Sequence, residues 1–162
     1  MRMNKIILAL LMVLIAACGE LRAQQAGQFG AGVIAGRPIG LTAKYWLNDT
    51  QAFDAGLGFG DHLAFYGDFL WHAWNILPQP KAGKLGVYAG LGPLIRMTDD
   101  TTFGIRTMFG IDYWISGHPI ELFAEAGPVF HVTPNTDVSA NGGVGIRIYF
   151  NGSTTDNSSR KR

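Results

Sequence analysis

The sequence predicts an all-β fold, a single antiparallel up-and-down β-barrel of eight strands. Three observations predict it. Apolar and polar residues alternate with a period of two from about residue 28 to residue 150, the pattern of strands with two unlike faces. Glycine supplies 22 of the 162 residues, about twice its usual share of roughly 7%. Charged residues make up only 15%, against roughly 25% in soluble domains.

The same composition excludes other classes. A formal charge of +1 is no footprint for nucleic acid, which calls for a basic face. One cysteine builds neither a disulfide framework nor a cysteine-based zinc site. No stretch is apolar for long enough to form a transmembrane helix.

Taken in order, the first segment is an address. Arg2 and Lys5 precede the apolar run Ile6 to Ala17, too short to cross about 30 Å of hydrocarbon as a helix and fitted to a secretory signal. Two cleavage readings stay open. Ordinary signal peptidase would cut after Ala23 and remove residues 1–23. Alternatively, Ile15-Ala16-Ala17-Cys18 resembles a lipoprotein motif that would remove residues 1–17 and lipidate Cys18.

The barrel is expected over 27–150, with strands at about 28–36, 41–47, 51–60, 62–74, 84–96, 102–115, 119–131 and 138–150. Turn signals separate them: Arg37-Pro38-Ile39-Gly40, Asn48-Asp49-Thr50, Asp61, Ile76 to Gly83, Thr98-Asp99-Asp100, Ser116-Gly117-His118 and Thr133-Pro134-Asn135. Pro93 and Pro128 fall inside the fifth and seventh strands, where a proline cannot donate to the ladder. Ala89 to Ile95 aligns with Ala124 to Phe130 at a shift of 35, so the two prolines mark equivalent places, a rim or bulge, in a repeated hairpin. Residues 151–162 are polar and rich in Ser, Thr and Asn, the composition of a disordered tail.

The two faces differ sharply. One carries side chains such as Val33, Leu41, Leu57, Leu91, Phe109 and Ile146 and no charge at all. The other carries Lys44, Asp54, Asp68, Lys84, Arg96, Arg106, Asp112, Glu121, Glu125 and Arg147, with His62, His72 and His131. A soluble barrel turns its apolar face inward; a transmembrane barrel turns it toward lipid. The charged face also holds Trp46, Tyr66, Tyr88, Trp114 and Tyr149 and most strand glycines, which suits a cramped eight-stranded interior. The apolar face is therefore expected to meet lipid. The opposed bases and acids, Lys44, Arg96, Arg106 and Arg147 against Asp54, Asp68, Asp112, Glu121 and Glu125, are expected to pair and plug the lumen.

With both termini in the periplasm, Phe29, Tyr45, Phe53, Trp71, Tyr113 and Phe150 fall at one rim of the apolar face, and Phe59, Phe65, Phe103 and Phe130 at the other. Such girdles are expected at both membrane interfaces. Outward loops are usually the longer ones, yet the longest connection here, Ile76 to Gly83, falls on the periplasmic side.

At Gly40-Leu41-Thr42-Ala43-Lys44-Tyr45-Trp46-Leu47 and Ala52-Phe53-Asp54-Ala55-Gly56-Leu57-Gly58, the chain resembles small bacterial outer-membrane β-barrels. Many of these are uncharacterised proteins of spirochaetes and related bacteria, grouped with the OmpA/OmpX-type eight-stranded barrels. The resemblance covers roughly 27–150. It implies outer-membrane lipid as surroundings and insertion by the barrel-assembly machinery through the last strand, which ends on Phe150. The tail beyond Phe150 departs from that pattern.

The resemblance also brings in enzymes that modify lipopolysaccharide acyl chains. Such chemistry needs a histidine with a serine or acid at the lipid face, whereas His62, His72, His131 and Ser139 all point inward and His118 lies in a turn. Asp61, Asp99, Asp100 and Asp137 gather at one rim, where turn formation explains them without a divalent cation. No phosphate loop or HExxH motif is present. The sequence therefore reads as a monomeric, cofactor-free envelope protein of structural or interaction role, with no external partner specified. Two alternatives stand beside it: a lipid-modifying outer-membrane enzyme, and a soluble or lipid-anchored periplasmic barrel binding an apolar ligand.

Overall fold

The computed structural model describes residues 26–60, 62–98, 101–134 and 136–150. The signal segment, Cys18, Asp61, Asp99, Asp100 and the 151–162 tail lie outside the described residues. Eight strands follow one another: β1 (Phe29–Arg37), β2 (Ile39–Trp46), β3 (Gln51–Phe59), β4 (Leu63–Ala73), β5 (Lys84–Met97), β6 (Thr102–Trp114), β7 (Ile120–Thr133) and β8 (Asp137–Phe150). Each pairs antiparallel with its neighbour, and β1 closes on β8 through pairs from Phe29↔Phe150 to Arg37↔Gly142. Closure leaves no sheet edge unpaired. Among the described residues no helix is long and apolar enough to cross a membrane, which says nothing about strands.

The strand limits agree with the sequence expectation to within two residues. The first turn is tighter than expected, because Arg37 and Ile39 join their strands and leave Pro38 alone between them. β1 begins and β8 finishes at one end, hereafter the near end, where connections 47–50, 74–83 and 115–119 also lie. At the far end lie residue 38 and connections 60–62, 98–101 and 134–136. At the near-end turn Gly117 has φ of 72°, a backbone region that costs glycine nothing and other residues strain.

The faces divide as the alternation requires. Outward side chains stand exposed, Phe109 at 60% and Trp71 at 48%, while Trp46, Lys44, Arg106 and Arg147 inside are at 0%. The apolar face is thus the outer wall. Glycines make the interior possible. Gly30, Gly56, Gly110 and Gly145 sit directly across the ladder from Tyr149, Tyr66, Tyr88 and Phe123. In each case the aromatic ring occupies the space a Cβ would take. An eight-stranded barrel has room only for interlocked side chains, so bulk on one strand is met by its absence on the next.

The two strand prolines sit neither at a rim nor at the barrel's bulge, which falls between Phe103 and Gly104 on β6. β5 and β7 run straight through Pro93 and Pro128. On one side pairing is continuous, with Pro93↔Ile105 and Pro128↔Ala140. On the other it skips, from Tyr66↔Leu94 to Phe69↔Leu91 and from Arg106↔Val129 to Phe109↔Ala126. The missing N–H costs a bond toward the preceding strand only. The glycine before each proline lets the backbones press together, since a Cβ on Gly92 would meet the Gly67 carbonyl and one on Gly127 the Thr107 carbonyl.

Candidate functional site: the lumen and its far-end cup

Inward positions on β2, β3, β6, β7 and β8 build the first of two charged clusters. Lys44 Nζ donates to Glu121 Oε1 at 2.7 Å and lies 3.9 Å from Asp112 Oδ2. Arg147 reaches Asp54 Oδ2 at 2.9 Å and Glu121 Oε2 at 3.3 Å, and donates to Thr42 Oγ1. Thr42 in turn donates to Asp54 Oδ1 at 2.9 Å, and the Tyr149 hydroxyl donates to Glu121 Oε2 at 2.6 Å. Burial would penalise each ion heavily alone; paired and hydrogen-bonded, the charges offset one another. The Arg147 guanidinium also stacks 3.7 Å from the Phe123 ring centroid.

The second cluster spans β4, β5, β6 and β7. Arg106 Nη2 donates to Glu125 Oε1 at 2.8 Å, and the Tyr88 hydroxyl donates to Glu125 Oε2 at 2.9 Å. Arg106 Nε lies 3.0 Å from Asp68 Oδ2. That contact is an ion pair without hydrogen-bond alignment, for neither atom has a hydrogen-bond partner. The Tyr66 ring covers the guanidinium at 4.0 Å.

Eight of the nine expected network residues therefore meet in these two clusters, and Arg96 does not. It lies on the far-end part of β5, opposite Ala64 and Thr102, beyond reach of the buried acids. The expected balance of bases and acids shifts accordingly. Three fully buried cations, Lys44, Arg106 and Arg147, face Asp54, Asp68, Asp112, Glu121 and Glu125, while Lys84 stacks on Trp74 at the near end, 3.8 Å from the ring. Sequence reasoning placed Tyr88 and Tyr149 on the inward face but not in the network, and did not single out Thr42. Parity within the strand, Thr42 with Lys44, Tyr88 with Lys84 and Tyr149 with Arg147, was the available signal.

The near end is closed by rings. Trp46, Leu70, Tyr88, Trp114 and Tyr149 form a buried cluster with Trp74 against it, and the His72 ring lies 4.4 Å from that of Trp46. Trp74 is anchored by its Nε1 donating to the Asp49 carbonyl at 2.7 Å. Among the described residues no such ring cluster closes the far end. There a cavity of about 400 Å³ is lined by Arg37, His62, Arg96, Ser139 and Asn141 among others. Nearby, His131 Nε2 and Ser139 Oγ share a hydrogen bond of 2.8 Å. No third group among the described residues orients that imidazole, because its Nδ1 is buried without a partner and Asp137 Oδ1 accepts the Val138 amide. Among the described residues no cluster of His, Cys, Asp or Glu could hold a metal.

No family model matches the chain, and no curated protein matches it. Among solved structures it is similar to the N-terminal β-barrel domain of Pseudomonas aeruginosa OprF, with a TM-score of 0.54 and 15% identity over 78% of this chain and 99% of that one. The two share a fold, the closed eight-stranded barrel.

Proposed function

We propose that the chain is a small integral outer-membrane β-barrel of structural or interaction role, inserted through its last strand and free of catalytic activity. The observation that carries this reading is the outer wall. Phe53, Leu91, Ile105, Phe109, Val138 and Val144 stand exposed on it, within a continuous apolar surface. Soluble monomers rarely expose apolar patches larger than a few hundred Å². The exposed aromatics of the two rims, Tyr45, Phe53 and Trp71 at the near end and Phe59, Phe65, Phe103 and Phe130 at the far end, fit the headgroup levels of a bilayer. A soluble barrel carrying an apolar ligand would need the reverse arrangement, and this lumen is filled with ion pairs.

The fit to the outer-membrane barrel class extends to the fold shared with the OprF domain. The tightly filled lumen and ring-closed near end argue against a diffusion pore, and the unoriented His131–Ser139 pair argues against acyl transfer, which needs an ordered base. Extraction with alkaline carbonate tests the membrane claim: the protein stays in the pellet if integral, and release into the supernatant would contradict it. Unchanged lipid A mass spectra on expression test the absence of acyl chemistry.

A further inference from the structure

Inside the barrel each buried cation meets an acid; the far end differs among the described residues. Neither Arg37 nor Arg96 forms an ion pair among the described residues, and both line the same cavity. Asn141 lines it too. Only 6% of that residue is exposed, and its side-chain amide, which makes no hydrogen bond among the described residues, has its accessible part in that lining. Two residues before it on the same strand, the Ser139 hydroxyl is held by His131 at 2.8 Å. In the tautomer with the proton on Nε2, His131 donates to Ser139 and frees the serine hydrogen to point elsewhere.

We propose that this far-end cup binds a phosphate ester of a small polar molecule. The donors come from around the circumference: Arg37 on β1, His62 in the β3–β4 connection, Arg96 on β5, and Ser139 and Asn141 on β8. A tetrahedral oxyanion with three terminal oxygens accepts from several directions at once, and guanidinium groups suit it. At about 400 Å³ the cup is larger than a bare ion needs, given about 30 Å³ for a water molecule in the liquid. Pro38, Ile39, Phe59 and Leu94 in its lining offer contact to the carbon skeleton of an ester. Of the acids at this end, Asp137 has Oδ1 engaged by Val138, and Asp61, Asp99 and Asp100 lie outside the described residues. They define the opposing outcome, a divalent cation in place of the anion. The proposal holds for the folded barrel whether or not the membrane reading does.

The test is calorimetric titration of the folded full-length chain in nonionic detergent with glycerol 3-phosphate, with phosphatidic acid doped into the micelles, and with calcium chloride. Saturable binding of the phosphate ester is expected, weakening with salt and falling about tenfold or more in Arg96→Ala and in Asn141→Leu. The heat-dependent gel shift of the folded barrel should be unchanged in both. Tighter binding of phosphatidic acid than of the soluble ester identifies a lipid headgroup as the source, and the reverse identifies a solute. Arg37→Ala, at the exposed rim, serves as the second variant should Arg96→Ala misfold. The proposal is overturned by no saturable phosphate binding up to about 10 mM, by wild-type affinity in the folded variants, or by calcium binding without phosphate binding.

Discussion

Arg106 illustrates how a single buried side chain can hold four strands together. From β6 it pairs with Asp68 on β4 and Glu125 on β7, and Glu125 in turn takes the Tyr88 hydroxyl of β5. Replacing it with alanine leaves two buried carboxylates without their cation, a loss of roughly 3–5 kcal/mol. Urea unfolding of Arg106→Ala in detergent should show a correspondingly lower midpoint, and an unchanged midpoint would count against the network. Gly56 tests the opposite requirement, the absence of a side chain. A Cβ there enters the space of the Tyr66 ring, which in turn lies on Arg106. Gly56→Val should therefore destabilise the barrel by about 1–3 kcal/mol, the usual cost of overpacking, read by the same unfolding curve. Both effects were partly legible in the sequence, since parity alone put Gly56, Tyr66 and Arg106 on one face. Which glycine meets which ring was not legible. That depends on the register between strands, which no single strand encodes.

At the scale of the element, the long near-end connection is organised by one residue. Gln79 donates from Nε2 to the carbonyls of Trp74 and Leu85, both at 2.8 Å, and accepts the Leu85 amide at 3.0 Å. Gln79→Ala should loosen residues 74–83 at a cost of about 1 kcal/mol while the strands remain paired. Limited proteolysis that cuts this connection faster than in the parent, with the barrel fragment intact, is the expected result. The strands themselves were readable because each face has a constant character, and their limits follow from turn residues such as Asn48-Asp49-Thr50. The prolines were harder. A sequence shows that Pro93 and Pro128 lack an N–H, but not that the gap would fall toward the preceding strand while the ladder to the following strand stays whole. Arg96 was misassigned for a related reason: parity gives the face of a residue, not its depth along the barrel axis.

For the whole molecule, the defining feature is an inversion of the soluble arrangement, with charge inside and hydrocarbon outside. One end of the lumen is shut by Trp46, Trp114, Tyr149 and their neighbours, and the other holds the polar cup. Planar-bilayer recordings should accordingly show no steady conductance from the folded chain; a stable open level would contradict a plugged lumen. Whether the outer wall meets lipid is tested by spin labelling. A nitroxide on Phe109→Cys, an outward position of β6, is introduced into a Cys18→Ser background and the protein is reconstituted in lipid vesicles. Relaxation by oxygen, which concentrates in hydrocarbon, should be strong, and relaxation by a water-soluble nickel chelate weak. Strong relaxation by the nickel chelate at that site would place the wall in water and contradict the account.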